Sequence, residues 1–68
     1  MLAKERVEIV HRALEDLSIR QRSVFIMRFM EDLEIAEIAE MTEMPANTVK
    51  THLHRAVTAI RARLGAGS

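Results

Sequence analysis

Apolar residues in this 68-residue chain recur at three- and four-residue steps, and nowhere in the alternation of a half-buried strand. Four helices follow from that spacing. The first is expected from about residue 3 to 16, with Val7, Val10, Leu14 and Leu17 on one stripe. In "LSIRQRSVFIMRFMED", Ser18 and Gln21 have capping-box spacing, so a second helix should run from Ile19 to about Met30. Its bulk is Val24, Phe25, Met27, Phe29 and Met30, and both phenylalanines are expected in the core. "EDLEIAEIAEMTEM" predicts a short third helix, about Ile35 to Met41, with Ile35, Ile38 and Ala39 inward and Glu34, Glu37 and Glu40 outward. The fourth starts near Pro45, whose fixed φ suits a first helical turn, and runs to about Leu64. The closing "GAGS", residues 65–68, reads as a helix stop and flexible tail.

Only Thr42 to Met44 separate the third and fourth helices. A turn that short makes the pair cross steeply, as in a helix-turn-helix spanning about 35–64. The fold class expected is all-α, a small four-helix single domain over residues 1–68 with a C-terminal helix-turn-helix. Its core should include Val7, Val10, Leu14, Leu17, Phe25, Phe29, Ile38, Val49, Leu53 and Ile60. With Val49 at 0° and about 100° per residue, Leu53, Ala56, Ile60 and Leu64 fall between roughly −20° and +60°. Opposite them lie Asn47, Thr51, His54, Arg55 and Thr58, with Thr48 and Lys50 on the flanks.

Composition removes several alternatives. There is no cysteine, hence no disulfide framework or cysteine zinc site. His52 and His54 are two positions apart and point about 200° apart on a helix, which disfavours chelation. His11 lies on a charged helical surface. No metal and no cofactor are expected. Neither a nucleophile–base pair nor a Gly-rich loop is present, so an enzyme is not expected. No apolar run nears the roughly 18 residues that span a bilayer, and "MLAKERVEIV" has no apolar signal-peptide region. No membrane partner and a cytoplasmic location are expected, and the domain should be a monomer.

Charge changes the picture. The net charge is zero, but residues 1–44 hold six basic and ten acidic side chains, −4, while residues 45–68 hold four basic and none acidic, +4. A solvated helix usually mixes in Glu for i,i+4 pairing, and the first three helices do. The fourth does not. Its N-terminus also carries a partial positive charge that suits a phosphate. In a helix-turn-helix, the start of the second helix enters the major groove, and Asn47, Lys50, Thr51, His54 and Arg55 sit there. Arg and Lys can read guanine, Asn adenine, and Thr a base edge or thymine methyl. The pattern alone also admits a helix that packs against another protein.

The stretch "LSIRQRSVFIMRFMEDLEIAEIAEMTEMPANTVKTHLHRAVTAIRARL" resembles region 4 of bacterial sigma-70 family sigma factors, most of all the extracytoplasmic-function group. The residues that carry the likeness begin with Leu17, Arg22, Val24 and Phe25. They continue through Glu37, Ile38 and Ala39, then Thr48, Val49, Lys50, Leu53, Arg55 and Ala56, and end with Ile60, Arg61 and Leu64. The likeness covers about residues 14 to 64. "TVKTH" also fits LuxR-type response-regulator domains. Their closing Lys-Leu-Gly, however, comes about one helical turn sooner than "RLG" here, and their interval matching Leu17 to Ile38 is one residue shorter. Both lengths agree with the sigma pattern.

The resemblance implies recognition of the promoter −35 element in double-stranded DNA and docking on the β flap of RNA polymerase. It also implies possible sequestration by an anti-sigma factor. By position, Lys50, Thr51, His54 and Arg55 would meet bases or nearby phosphates, with Thr48 and His52 toward the backbone and Asn47 beside them. The companion region that binds the −10 element is absent from these residues, so an isolated region 4 is expected. Several positions depart from the family pattern: Ser18 replaces a Pro, Thr42-Glu43 a Leu-Gly, and His52 and Val57 frequent arginines. A left-handed Glu43 would cost about 1 kcal/mol relative to Gly. Fewer cations imply weaker phosphate attraction. The other reading is a protein-interaction module, such as a sigma mimic or anti-sigma-binding domain. For protein partners, Met27, Met30, Met41 and Met44 are candidate adaptable contacts in a groove between the second, third and fourth helices.

Overall fold

The structure, a computed structural model, describes residues 2–66, and the side chains of residues 4–65. It contains four helical elements and, among the described residues, no strand: α1 Leu2–Asp16, α2 Ile19–Phe25 running into a π-helical turn at Ile26–Met30, α3 Ile35–Thr42 and α4 Ala46–Ala66. None of these helices is long and apolar enough to cross a membrane.

Two buried clusters share α4 between them. In the first, Ala13 and Leu14 of α1 meet Ile60 of α4, with Val10, Leu17, Phe25 and Leu64 packed around. In the second, Val24, Ile38 and Val49 join α2, α3 and α4, all three at 0% exposure. Met27, Leu33, Ile35, Ala39, Met44 and Leu53 surround them. Ala56, buried between these levels of α4, completes its inward stripe. The 3.6-residue period thus gives the phase of α4 correctly, and Ile35, Ile38 and Ala39 face inward as expected.

Local chemistry sets the boundaries. The Gln21 N–H donates to Ser18 Oγ at 3.2 Å, and the Ser18 N–H donates to Gln21 Oε1 at 3.4 Å, closing the expected capping box. At the start of α3, the Glu34 N–H donates to the Glu37 carboxylate at 3.0 Å. Thr42, expected in the turn, instead closes α3, its hydroxyl donating to the Ile38 carbonyl at 2.6 Å. α4 does not stop at Gly65. It continues to Ala66, and the rest of the expected tail, residues 67 and 68, lies outside the described residues.

The second helix is not α-helical to Met30. At Ile26 the N–H is shared between the Arg22 and Ser23 carbonyls. Beyond it, the Glu31 N–H reaches back five residues to Ile26 O at 3.1 Å, and the Leu33 N–H six, to Met27 O at 3.0 Å. Asp32, at φ 56°, turns the chain out in the left-handed region. Arg28 holds this exit, donating to the Leu33 carbonyl at 3.3 Å and lying 3.8 Å from the Asp32 carboxylate. Its guanidinium carbon sits 6.0 Å from the centre of the Phe29 ring.

This π turn corrects one core expectation. Bonds closing over five residues rather than four leave Phe29 short of the inward face it would share with Phe25 in an α-helix. Phe29 is 56% exposed, although its ring still lies 4.9 Å from that of Phe25. Val7 is the second correction. It is 54% exposed, because at its level along α1 no neighbour closes over the apolar stripe. Instead Val7 lines an open groove of about 230 Å³ with Val10, Met30, Leu64, Arg6 and His11.

Candidate nucleic-acid interface

The interface begins with the turn that aims α4. Glu43 sits at φ 58°, ψ 28°, the left-handed cap of α3. Its N–H and that of Met44 both donate to the Ala39 carbonyl, the latter at 3.2 Å. The Met44 bond is the 6→1 closure of a Schellman motif, and the Glu43 bond is the 5→1 bond of the simpler left-handed cap. Met44 then packs with Ala39 against the Val24–Ile38–Val49 cluster, which anchors the turn from inside. Pro45 is the residue from which α4 springs. It has no N–H to lose, and its carbonyl accepts from Thr48 at 3.0 Å and Val49 at 3.1 Å.

Val49, wholly buried one turn into α4, fixes which side of the helix faces out. Asn47, Lys50, Thr51, His54 and Arg55 are exposed on that side, together with Thr58. Asn47, Thr51 and Arg55 follow one another at four-residue steps, as do Lys50, His54 and Thr58, giving two parallel polar rows. Thr48 and His52 are half-buried at the edges. His52 Nδ1 is buried without a hydrogen-bond partner, so any contact it makes outside the domain falls to the Nε2 edge. All seven residues expected to face a ligand thus lie on the first turns of one helix, five of them open to solvent.

Electrostatics separate this face from the rest of the molecule. Arg63, near the end of α4, is paired with Asp16 of α1, and Arg28 with Asp32. Among the described residues the other basic side chains, Lys50 and Arg55 included, have no such partner, so what sets this face apart is its lack of acids. No acid follows Glu43 anywhere in the chain. Two unpaired cations, the free N–H groups of a helix start, and several short polar side chains therefore converge on one surface. That arrangement can hold phosphates and meet base edges. Among the described residues no group of three or more His, Asp or Glu is placed to hold a metal ion.

The methionine expectation is met only in part. Met30 and Met41 are exposed, whereas Met27 and Met44 pack on the second cluster. The open apolar groove lies elsewhere, between α1, Met30 and the C-terminal end of α4. Periodicity could not reveal it, because Val7 and Val10 read as ordinary core positions.

Residues 7–60 match the family described as Sigma-70, region 4. The RNA polymerase sigma factor SigV of Bacillus subtilis (strain 168) is 47% identical over 55 residues. That alignment covers 81% of this chain and 33% of the relative, so the chain spans about a third of the length of the protein it matches. No solved structure matches. The sequence period, the turn at Glu43 and the match over most of the chain lead to one assignment: the chain belongs to the sigma-70 region 4 family.

Proposed function

We propose that the domain binds double-stranded promoter DNA at the −35 element, with the opening turns of α4 in the major groove. It does so as part of an extracytoplasmic-function sigma factor that directs RNA polymerase to initiate transcription in the cytoplasm. The observation that carries the reading is the acid-free face of α4, where Lys50 and Arg55 stand unpaired beside exposed Asn47, Thr51 and His54. A helix meant only for solvent gains from acidic partners at i,i+4, and this one has none. Phosphates would be met by Lys50, by Thr48 and His52 at the edges, and by the helix N-terminus. Base edges would be met by Thr51, His54 and Arg55, with Asn47 at the head of the row.

The relative's name, RNA polymerase sigma factor, supports the polymerase as partner. The apolar groove between α1 and α4, with Met30 on its edge, supplies a second surface for protein, in keeping with the β flap or an anti-sigma factor. The domain acts as a monomer, without a cofactor. Titration of the folded chain with a −35-containing duplex and a scrambled duplex of equal length, at one salt concentration, tests the reading. Tighter binding to the first is expected. Equal binding to both, or none, would leave the domain as a protein-interaction module.

A further inference from the structure

Among the three threonines of α4, Thr51 differs from Thr48 and Thr58. Its hydroxyl donates to the Asn47 carbonyl one turn back, at 3.0 Å. Among the described residues the other two make no such bond. A threonine hydroxyl has one donor and two acceptor positions. In Thr51 the donor is already spent on the helix backbone. Freeing it for a base would exchange one hydrogen bond for another and return little.

We infer that Thr51 offers DNA a methyl group and an acceptor but no donor, so that the base it meets is read as thymine and guanine is rejected. The inference rests on the DNA-binding reading given above. In the major groove guanine presents N7 and O6, both acceptors. Against an acceptor-only side chain those atoms lose water and gain nothing. Thymine also presents an acceptor, O4, but beside it stands the C5 methyl, which the Thr51 methyl can cover and for which guanine has no counterpart. Adenine N6 and cytosine N4 present donors that Oγ1 can accept, so these bases rank between. The row Asn47, Thr51, Arg55 would then carry three different chemistries at steps of about 6 Å along the helix. An amide leads, an acceptor-plus-methyl follows, and a two-donor guanidinium ends the row. Neighbouring base pairs would be asked different questions.

The test starts from a duplex that the chain prefers over a scrambled one. Each position of the preferred segment is varied through four bases, and wild type is compared with Thr51→Ala to find the position whose base dependence residue 51 sets. At that position wild type should bind the thymine duplex best and the guanine duplex worst, on the order of tenfold apart. Thr51→Val, which keeps the methyl and loses the oxygen, should retain the thymine duplex within about twofold and lose its advantage for adenine over guanine. Thr51→Ser, which keeps the oxygen and loses the methyl, should no longer distinguish thymine from uracil, whereas wild type should. The same far-UV helical signal in all three variants excludes unfolding as the cause. Guanine among the best bases at that position would overturn the inference. So would a duplex preference in which no position responds to residue 51. If wild type prefers no duplex at all, the DNA-binding reading fails, and the inference with it, by a result distinct from these two.

Discussion

Glu43 is the place where this chain departs most clearly from what its backbone asks for. At φ 58° the residue lies in the left-handed region, where a side chain brings Cβ against the following carbonyl at a cost of about 1–2 kcal/mol. Glu43→Gly removes that cost. Against the gain stands the greater freedom of glycine in the unfolded chain, about 0.4–1 kcal/mol. A third effect favours the variant. Glu43 places a negative charge at the C-terminal end of α3, where the helix dipole is also negative, and its removal contributes a few tenths of a kcal/mol. The sum is a stabilisation of about 1 kcal/mol, which for a domain of this size shifts Tm by roughly 4–8 °C. Urea unfolding followed by circular dichroism should show a higher midpoint with an unchanged slope. Two further variants separate the causes. Glu43→Gln should recover only the charge contribution. Glu40→Gly, exposed within the right-handed part of α3, should instead destabilise by about 1 kcal/mol. If Glu43→Gly is no more stable than Glu43→Gln, the left-handed turn contributes no strain and the argument fails.

Phe29→Ser should cost less than half of the roughly 3–5 kcal/mol of a core Phe deletion, because the π turn leaves Phe29 56% exposed; a full core cost in urea unfolding would mean that the ring is buried after all. Ile38→Ala should cost about 2–5 kcal/mol, a large share of the stability of so small a domain, and a near-neutral result would contradict the second cluster. DNA binding should weaken steeply with salt: about four phosphate contacts give a slope of the log binding constant against log salt near −3 to −4, and a flat dependence would exclude phosphate anchoring by α4. Arg55→Ala should cost about 1–3 kcal/mol of binding and relax the preference at one base, whereas Lys50→Ala should cost less and weaken all duplexes evenly. Equal loss on matched and substituted duplexes would make Arg55 a phosphate anchor.

The parts of the fold legible in the sequence are those governed by local period and capping. Val49, Ala56 and Ile60 give the phase of α4 because each returns to one side of the helix, and the structure buries all three. Ser18 and Gln21 announce the start of α2 because the two bonds they make are internal to four residues. What remained hidden depends on neighbours distant in the chain. An apolar stripe shows which side of α1 turns inward, but not how far along the axis another helix covers it, so Val7 read as core. The π turn has no Gly or Pro to mark it. It is fixed by Arg28 reaching forward to Leu33 and by the left-handed Asp32, and residue type at those positions permits an ordinary α-helix equally well. On the candidate interface, the row of side chains was legible from spacing. The commitment of the Thr51 proton to Asn47 was not, because a threonine on an exposed face carries no sign of which way its hydroxyl turns.

The two clusters also explain how one helix can serve two surfaces. α4 is held near its start by Val49 against Val24 and Ile38, and near its end by Ile60 against Ala13 and Leu14. Both anchors lie on one continuous 21-residue helix. At about 1.5 Å per residue, Thr51 and Leu64 are separated by roughly 20 Å along the axis. Leu64 lines the apolar groove, while Thr51 stands in the row proposed to face bases. A protein seated in the groove therefore need not cover the DNA face, and the rigid helix would hold the two partners at a set spacing. Because the second cluster alone positions the turn before α4, a change in α1 such as Leu14→Ala lowers stability without re-aiming Asn47, Thr51 and Arg55, and base preference should survive it wherever the domain remains folded.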